Sequence, residues 1–183
     1  MIDRRLDRHL EDLPRGLTAP VRAWMQAHWP QIVAAPGSSG NHQTWPGGFL
    51  DHTLQLLALV DSLFPALATI HQPPADVTPG SAKAVLLFHD VEKPFKYTTG
   101  LPADWDKHAY LFETLRLDWG IAFSEAEKNA LIYVHGEGDD YRKDARVMGP
   151  LAAICHGCDV LSARLWHDRG RPGERNTPLI VFG

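Results

Sequence analysis

An apolar helical run that ends on two ionisable side chains constrains this chain more than any other stretch. Val85-Leu86-Leu87-Phe88 leads directly into His89-Asp90, and Val91-Glu92-Lys93-Pro94 follows. Pro94 lacks a donor and biases the residue before it away from helix, so the helix is expected to stop there. An unpaired carboxylate at the buried end of such a segment costs several kcal/mol or is forced to protonate. A bound cation removes that cost. So does an ordinary cap or salt bridge near a helix end, and this stretch alone leaves both readings open.

The 183 residues are enough for one domain with a real hydrophobic core, expected over residues 1–168 with a polar tail over 169–183. A composition of 44% hydrophobic and 22% charged residues is that of a globular chain, neither disordered nor fibrous. No uninterrupted apolar run approaches the roughly 20 residues that span a bilayer, so no membrane association is expected. Met1-Ile2-Asp3-Arg4-Arg5 reads as an amphipathic opening and not a signal peptide, and with two cysteines it suggests a reducing cytoplasm. The formal charge of −4 opposes non-specific duplex binding, which needs many Lys and Arg to neutralise phosphates. Small anions stay open as ligands, because bound metal would reverse the local sign.

Little in the sequence alternates with period two, and apolar residues recur instead at three and four. Leu6, Leu10 and Leu13 mark a short first helix, and a second runs from Pro20 toward Trp29. Ala34 to Gly48 is a long Gly/Pro loop carrying His42 and Trp45, and loops of this length are usually functional or disordered. Phe49 to His71 is the longest expected helix, followed by Ser81 to Asp90, a loop from Glu92 to Asp106, and a helix from Lys107 to Trp119. Ser124-Glu125-Ala126-Glu127 is a capping box opening a helix to His135, and Val147 to Trp166 is the last helix. The tail ends in Leu179-Ile180-Val181-Phe182, which could pack on the body or on a neighbour. The expected fold is all-α, a bundle of roughly six or seven helices.

Polar groups on those helices share a pattern. His52 lies with Phe49 and Leu56, His89 with Val85 and Leu86, His108 with Leu111 and Phe112, His135 with Leu131 and Ile132, and Asp159 with Cys155. Residues at these spacings share a helix face, so five helices each point a polar group toward an apolar interior. One buried histidine is more often a satisfied core residue than a ligand. Four of them with two aspartates reverse that expectation, and His plus Asp suits divalent first-row ions. His9, His28, His71, His156 and His167 show no shared face with this set and read as surface or incidental. Cys155 and Cys158 form a CxxC without a second pair, and core packing is the expectation for both.

The order His52, His89-Asp90, His108, His135, Asp159 resembles the HD-domain metal-dependent phosphohydrolase superfamily, whose signature is H…HD…D on a helical bundle. Pro46-Gly47-Gly48-Phe49-Leu50-Asp51-His52-Thr53-Leu54 is similar to the PGGLLEHTL-like segment common at that superfamily's first histidine. The resemblance spans roughly residues 42 to 165. It implies that His52, His89, Asp90 and Asp159 hold one divalent ion, with Mn, Co, Zn, Fe, Ni and Mg all open. His108 and His135 match the places of a second ion's ligands, and one- and two-ion sites both stay open. Glu92 stands where the common HDxGK has glycine, Lys93 keeps its place, and Val134-His135 replaces the common His-His pair.

Metal lowers the pKa of a bound water from about 15.7 toward about 7, and it stabilises charge in an in-line displacement at phosphorus. The resemblance therefore implies an enzyme with Asp90, Glu92 and Lys93 in the catalytic set. Candidate substrate contacts are Lys93, Lys96, Arg142 and Lys143 for phosphate, and His42, Trp45 and Tyr97 for a base. The expected activity is hydrolysis of a (deoxy)nucleotide, as in phage-type dATP triphosphohydrolases and 5′-deoxynucleotidases, by a homo-oligomer. A 3′–5′ exonuclease-like hydrolase, an HD-type di-iron oxygenase and a regulatory HD module are the competing readings.

Overall fold

The computed structural model describes residues 2–166, so the expected tail and His167 lie outside the described residues. Among the described residues there is no strand. The elements are α1 (Arg4–Leu10), α2 (Thr18–Ala27), α3 (Trp29–Ala34), α4 (Gly48–Ile70), α5 (Pro79–Phe88), α6 (Lys93–Lys96), α7 (Lys107–Ala109), a π segment (Tyr110–Thr114), α8 (Leu115–Trp119), α9 (Glu125–Tyr133), a 3-10 turn (Gly138–Asp140) and α10 (Pro150–Arg164).

The all-α expectation holds. Helices α4, α5, α9 and α10 pack on one another as the central bundle, while α1 and α3 lie against α4 and α2 reaches α8. Helix α5 is buried on every side from Ala82 to Phe88, as expected of a helix apolar nearly all round. Its neighbour α4 contributes Leu56, Leu57, Val60 and Phe64 to the same core. Across the bundle, Trp24 Nε1 donates to the Tyr110 hydroxyl at 3.0 Å, and the Trp24 ring tilts onto Phe88 at 5.0 Å between centroids. The Ser124–Glu127 capping box forms, with both reciprocal bonds present.

Several boundaries move, each for a local reason. Thr78 caps α5 by accepting from the Ser81 amide, which brings Pro79 into the first turn. The helix then ends at Phe88, so His89-Asp90 lies in the turn beyond it. Pro94 opens the short α6 as well as barring continuation of α5, and Pro30 likewise opens α3 directly after α2. These two short helices lengthen the expected roster. Residues 107–119 are helical as expected but widen into a π turn at Tyr110–Thr114. Helix α10 starts at Pro150 with Gly149 as its cap, three residues later than expected.

Helix α4 has 23 residues and a mean hydropathy of 1.6 over its most apolar window, long and apolar enough to cross a bilayer by length and composition only, a test that core helices also pass. Polar residues spaced along it, such as Asp51, His52, Gln55 and Asp61, hid this from a search for unbroken apolar runs.

Candidate metal centre

The first candidate ligand enters on a tightly specified turn. Gly47 has φ +81°, a left-handed backbone that glycine adopts without cost. A Cβ on Gly48 would stand 1.9 Å from the Gln43 carbonyl oxygen, so the PGG segment needs both glycines to bring the 35–47 loop against α4. That loop is folded around Ser38, whose hydroxyl accepts from the Asn41 and His42 amides at 2.8 Å and donates to the His42 carbonyl. His42 is thereby placed with its ring 4.8 Å from the ring of His52. His52 sits in the first turns of α4, His89-Asp90 in the turn after α5, His135 just past α9, and Asp159 on α10.

These side chains converge. His52 Nε2 lies 3.2 Å from Asp159 Oδ1 and 3.9 Å from Asp90 Oδ2. His89 Nε2 lies 3.1 Å from Asp90 Oδ2 and 3.6 Å from Asp159 Oδ1. Two ligands each about 2.1 Å from a tetrahedral ion stand roughly 3.4 Å apart, so these separations suit a shared cation. His52 Nε2 and His89 Nε2 are both buried and neither has a hydrogen-bond partner. The opposite ring nitrogens are occupied: His89 Nδ1 donates to the Leu86 carbonyl at 2.8 Å, and His52 Nδ1 meets Ser162 Oγ at 2.9 Å. Two orphaned imidazole nitrogens beside two carboxylates are a donor set that a divalent first-row ion fits.

Charge in the cluster balances without metal. Burial opposes ionisation of Asp90, but the His89 charge, His135 and Lys93 hold its carboxyl well below the usual range. Asp159 is likewise held down, against burial, by the His52 and His89 rings. Burial pushes the His52 imidazole down to about 4. Burial would lower His89 too, but Asp90 and Asp159 outweigh it and raise this imidazole to about 9. Lys93 Nζ adds a second cation 2.5 Å from Asp90 Oδ2.

His52, His89 and Asp159 have ligand atoms within 4.8 Å of one another, and so do His89, Asp90 and His135. His135 is half exposed, with Nε2 3.5 Å from Asp90 Oδ1. His108 does not join them. It is exposed, with its ring 4.5 Å from that of Phe112, because the π turn starting at Tyr110 breaks the spacing that would have turned it inward. Glu92 is ion-paired with Lys107 at 3.1 Å, and Lys107 also donates to the His89 carbonyl.

A cavity of about 350 Å³ adjoins the cluster, lined by residues that include His42, His135, His156, Asp159, Asn41 and Arg164. Of the expected substrate contacts, His42 lines this cavity. Lys93 sits beside Asp90, and the other expected contacts lie away from the cavity: Trp45 donates to Asp51 at 2.8 Å, Tyr97 packs on the core, and Lys96 lies over the Tyr97 ring. Arg142 and Lys143 are exposed on the loop after the 3-10 turn. His156 corrects the view of it as incidental, since its Nδ1 donates to the Val134 carbonyl at 2.8 Å and its ring borders the cavity. Its position three residues before Asp159, on the same helix face, was the available signal. His9 is buried rather than on the surface, and His28 stacks against Trp24. Cys155 and Cys158 are buried free thiols, and burial pushes Cys158 up to about 11.

No family model matches this chain, and neither does any curated protein or solved structure.

Proposed function

We propose that this protein is a metal-dependent phosphohydrolase of the HD-domain type, acting on a (deoxy)nucleotide. One observation carries the reading: two buried imidazole nitrogens without hydrogen-bond partners face two ionised carboxylates beside a cavity of about 350 Å³. His52, His89, Asp90 and Asp159 are the residues that would hold the ion. Bound there, a divalent ion supplies an activated water and Lewis-acid stabilisation of charge at a phosphoryl group.

The chain's own groups complete the reading. The His89 Nδ1–H bond to Leu86 fixes that ring's orientation before any ligand arrives. Asp90 and Asp159 supply the carboxylate ligands, and an arriving ion would take the place of the His89 proton and share Asp90 with Lys93. Lys93, mostly buried beside Asp90, and Arg164, in the cavity wall, are the cations that could meet a phosphate oxygen. His135, at the cavity wall and near Asp90, is the ligand through which a second ion would be held. His42 and Asn41 form a wall suited to hydrogen bonds with a base or sugar.

The test is phosphate or pyrophosphate release from nucleoside mono- and triphosphates by protein loaded with Mn, Co, Zn, Fe, Ni or Mg. Release that is lost with chelator and lost in Asp159→Ala supports the reading. Metal uptake with no hydrolysis across that panel overturns the substrate class.

A further inference from the structure

The hydrogen bonds behind His52 form a chain whose every donor can be named. The Ser162 hydroxyl donates to Gln55 Oε1 at 2.8 Å, so the Ser162 oxygen accepts from His52 Nδ1–H at 2.9 Å. Gln43 Nε2 donates to the same Gln55 oxygen at 2.8 Å. That orientation turns Gln43 Oε1 toward His42, where it accepts from His42 Nδ1–H. Both imidazoles are left with Nε2 as the unprotonated nitrogen. Ser162 is fully buried and Gln43 nearly so.

Gln43 is also held in a left-handed backbone conformation at φ +40°, which side-chain-bearing residues rarely adopt. The Gly37 amide donates to the Gln43 carbonyl at 2.8 Å, and Gly48 admits that carbonyl at a distance no Cβ would allow. Strained backbone of this kind persists where its surroundings over-determine it. Here it delivers the Gln43 amide to the midpoint of the chain.

We propose that Gln55, with Ser162 and Gln43, is a positioning element that holds His52 in its Nδ1–H tautomer and presents Nε2 as a ready metal ligand. This rests on the metal reading above. Gln55 acts through its single oxygen, which receives two donors and so sets the direction of the whole chain. Removing it frees the Ser162 hydroxyl to donate to His52 Nδ1. That reverses the tautomer and places an N–H where the ion must bind.

The consequence is an ordering that simple packing does not give. Gln55→Leu, two bonds away from His52, weakens metal binding more than Ser162→Ala, which merely removes the direct partner. Losing a hydrogen bond that orients a ligand typically costs about 10–100-fold in metal affinity, with Gln55→Leu expected toward the upper end. Gln55→Glu keeps an acceptor for both donors and restores affinity toward wild type.

The experiment pairs zinc titration of the full chain with ¹⁵N spectra of the histidine rings in metal-free protein at neutral pH. Expected are a Nδ1–H tautomer for His52 in wild type and Gln55→Glu, and a Nε2–H tautomer in Gln55→Leu. Thermal melts of each variant verify folding. A wild-type Nε2–H tautomer, or one unchanged in Gln55→Leu, overturns the proposal. Wild-type protein that binds no divalent ion overturns the metal reading instead, and the metal-free spectra still judge the chain.

Discussion

Two clusters in this molecule are built from one histidine-and-aspartate vocabulary and reach opposite ends. Behind α5, His9, Asp12 and Asp61 have ligand atoms within 4.8 Å of one another, the same criterion the candidate metal centre meets. There the Lys83 ammonium fills the middle, 2.6 Å from Asp12 and 2.5 Å from Asp61, with its side chain only 1% exposed. At the other end of α5, Lys93 pairs with Asp90 alone and two imidazole nitrogens stay orphaned. The first cluster has satisfied itself with a covalently attached cation. The second still has ligand atoms to offer, and it borders a cavity. Residue type does not separate a structural ion network from a binding site. What separates them is whether the polar atoms have already found one another.

The largest expected effect lies in the closed cluster. Replacing both Asp12 and Asp61 with Ala strands a buried ammonium, and removing the partners of a buried charge costs about 3–5 kcal/mol. Chemical denaturation should show that loss while zinc affinity, corrected for folding, stays as in wild type. A matching loss of affinity would mean the two clusters are one unit, and the comparison fails. Next comes Asp159→Ala in the open cluster, expected to lower metal affinity by about 100-fold or more, and to cost some metal-free stability too because it removes a partner of the buried His89 charge. A metal-induced rise in melting temperature should vanish with it.

Titration draws the same line on a smaller scale. In metal-free protein His89 is raised from 6.5 to about 9, so its stabilising contribution is full below pH 6.5 and lost as pH rises through 9. His52 is lowered to about 4, so its contribution is present above pH 6.5 and lost as pH falls toward 4. Metal-free stability should therefore peak near pH 6.5 and decline on both sides. Zinc replaces the His89 proton, so its affinity should rise up to about pH 9 and the alkaline decline should disappear. Urea midpoints between pH 5 and 10, with and without chelator, measure this. An alkaline decline that zinc leaves unchanged would separate His89 from the ion.

The parts of this contrast that the sequence made legible are those that local spacing encodes. Helical periodicity reports which face is apolar, so an all-α bundle with His52, His89 and Asp159 turned inward followed from counting threes and fours. His108 misled because a π turn is not written in that count, and Leu111 went inward without it. His156 was set aside for lack of a clear face, although its own helix carries Asp159 three residues on. Lys83 stood unremarked inside an apolar helix, because its partners lie on α4 and on the turn after α1, and only the folded chain brings them near. The Gln55–Ser162 bond joins residues 107 positions apart and has no local signature at all. Periodicity finds the inward-facing side chains; it does not find what orients them.

Lys93→Met gives the smallest effect and the sharpest one, because its two readouts should move in opposite directions. Wild-type Lys93 holds a cation 2.5 Å from Asp90, and an arriving ion must share or displace that partner. Without it Asp90 is more available, and metal affinity should rise, by about 10-fold or less, since each 1.4 kcal/mol is tenfold. Phosphate release by the loaded protein should nonetheless fall, because the ammonium beside Asp90 that could meet a phosphoryl oxygen is gone. Lys83→Met should do neither, since that ammonium lies on the far side of α5 and serves only its own carboxylates. If Lys93→Met lowers metal affinity, then Lys93 supports the ligand set just as Lys83 supports its aspartates. In that case the open cluster would be a second closed one.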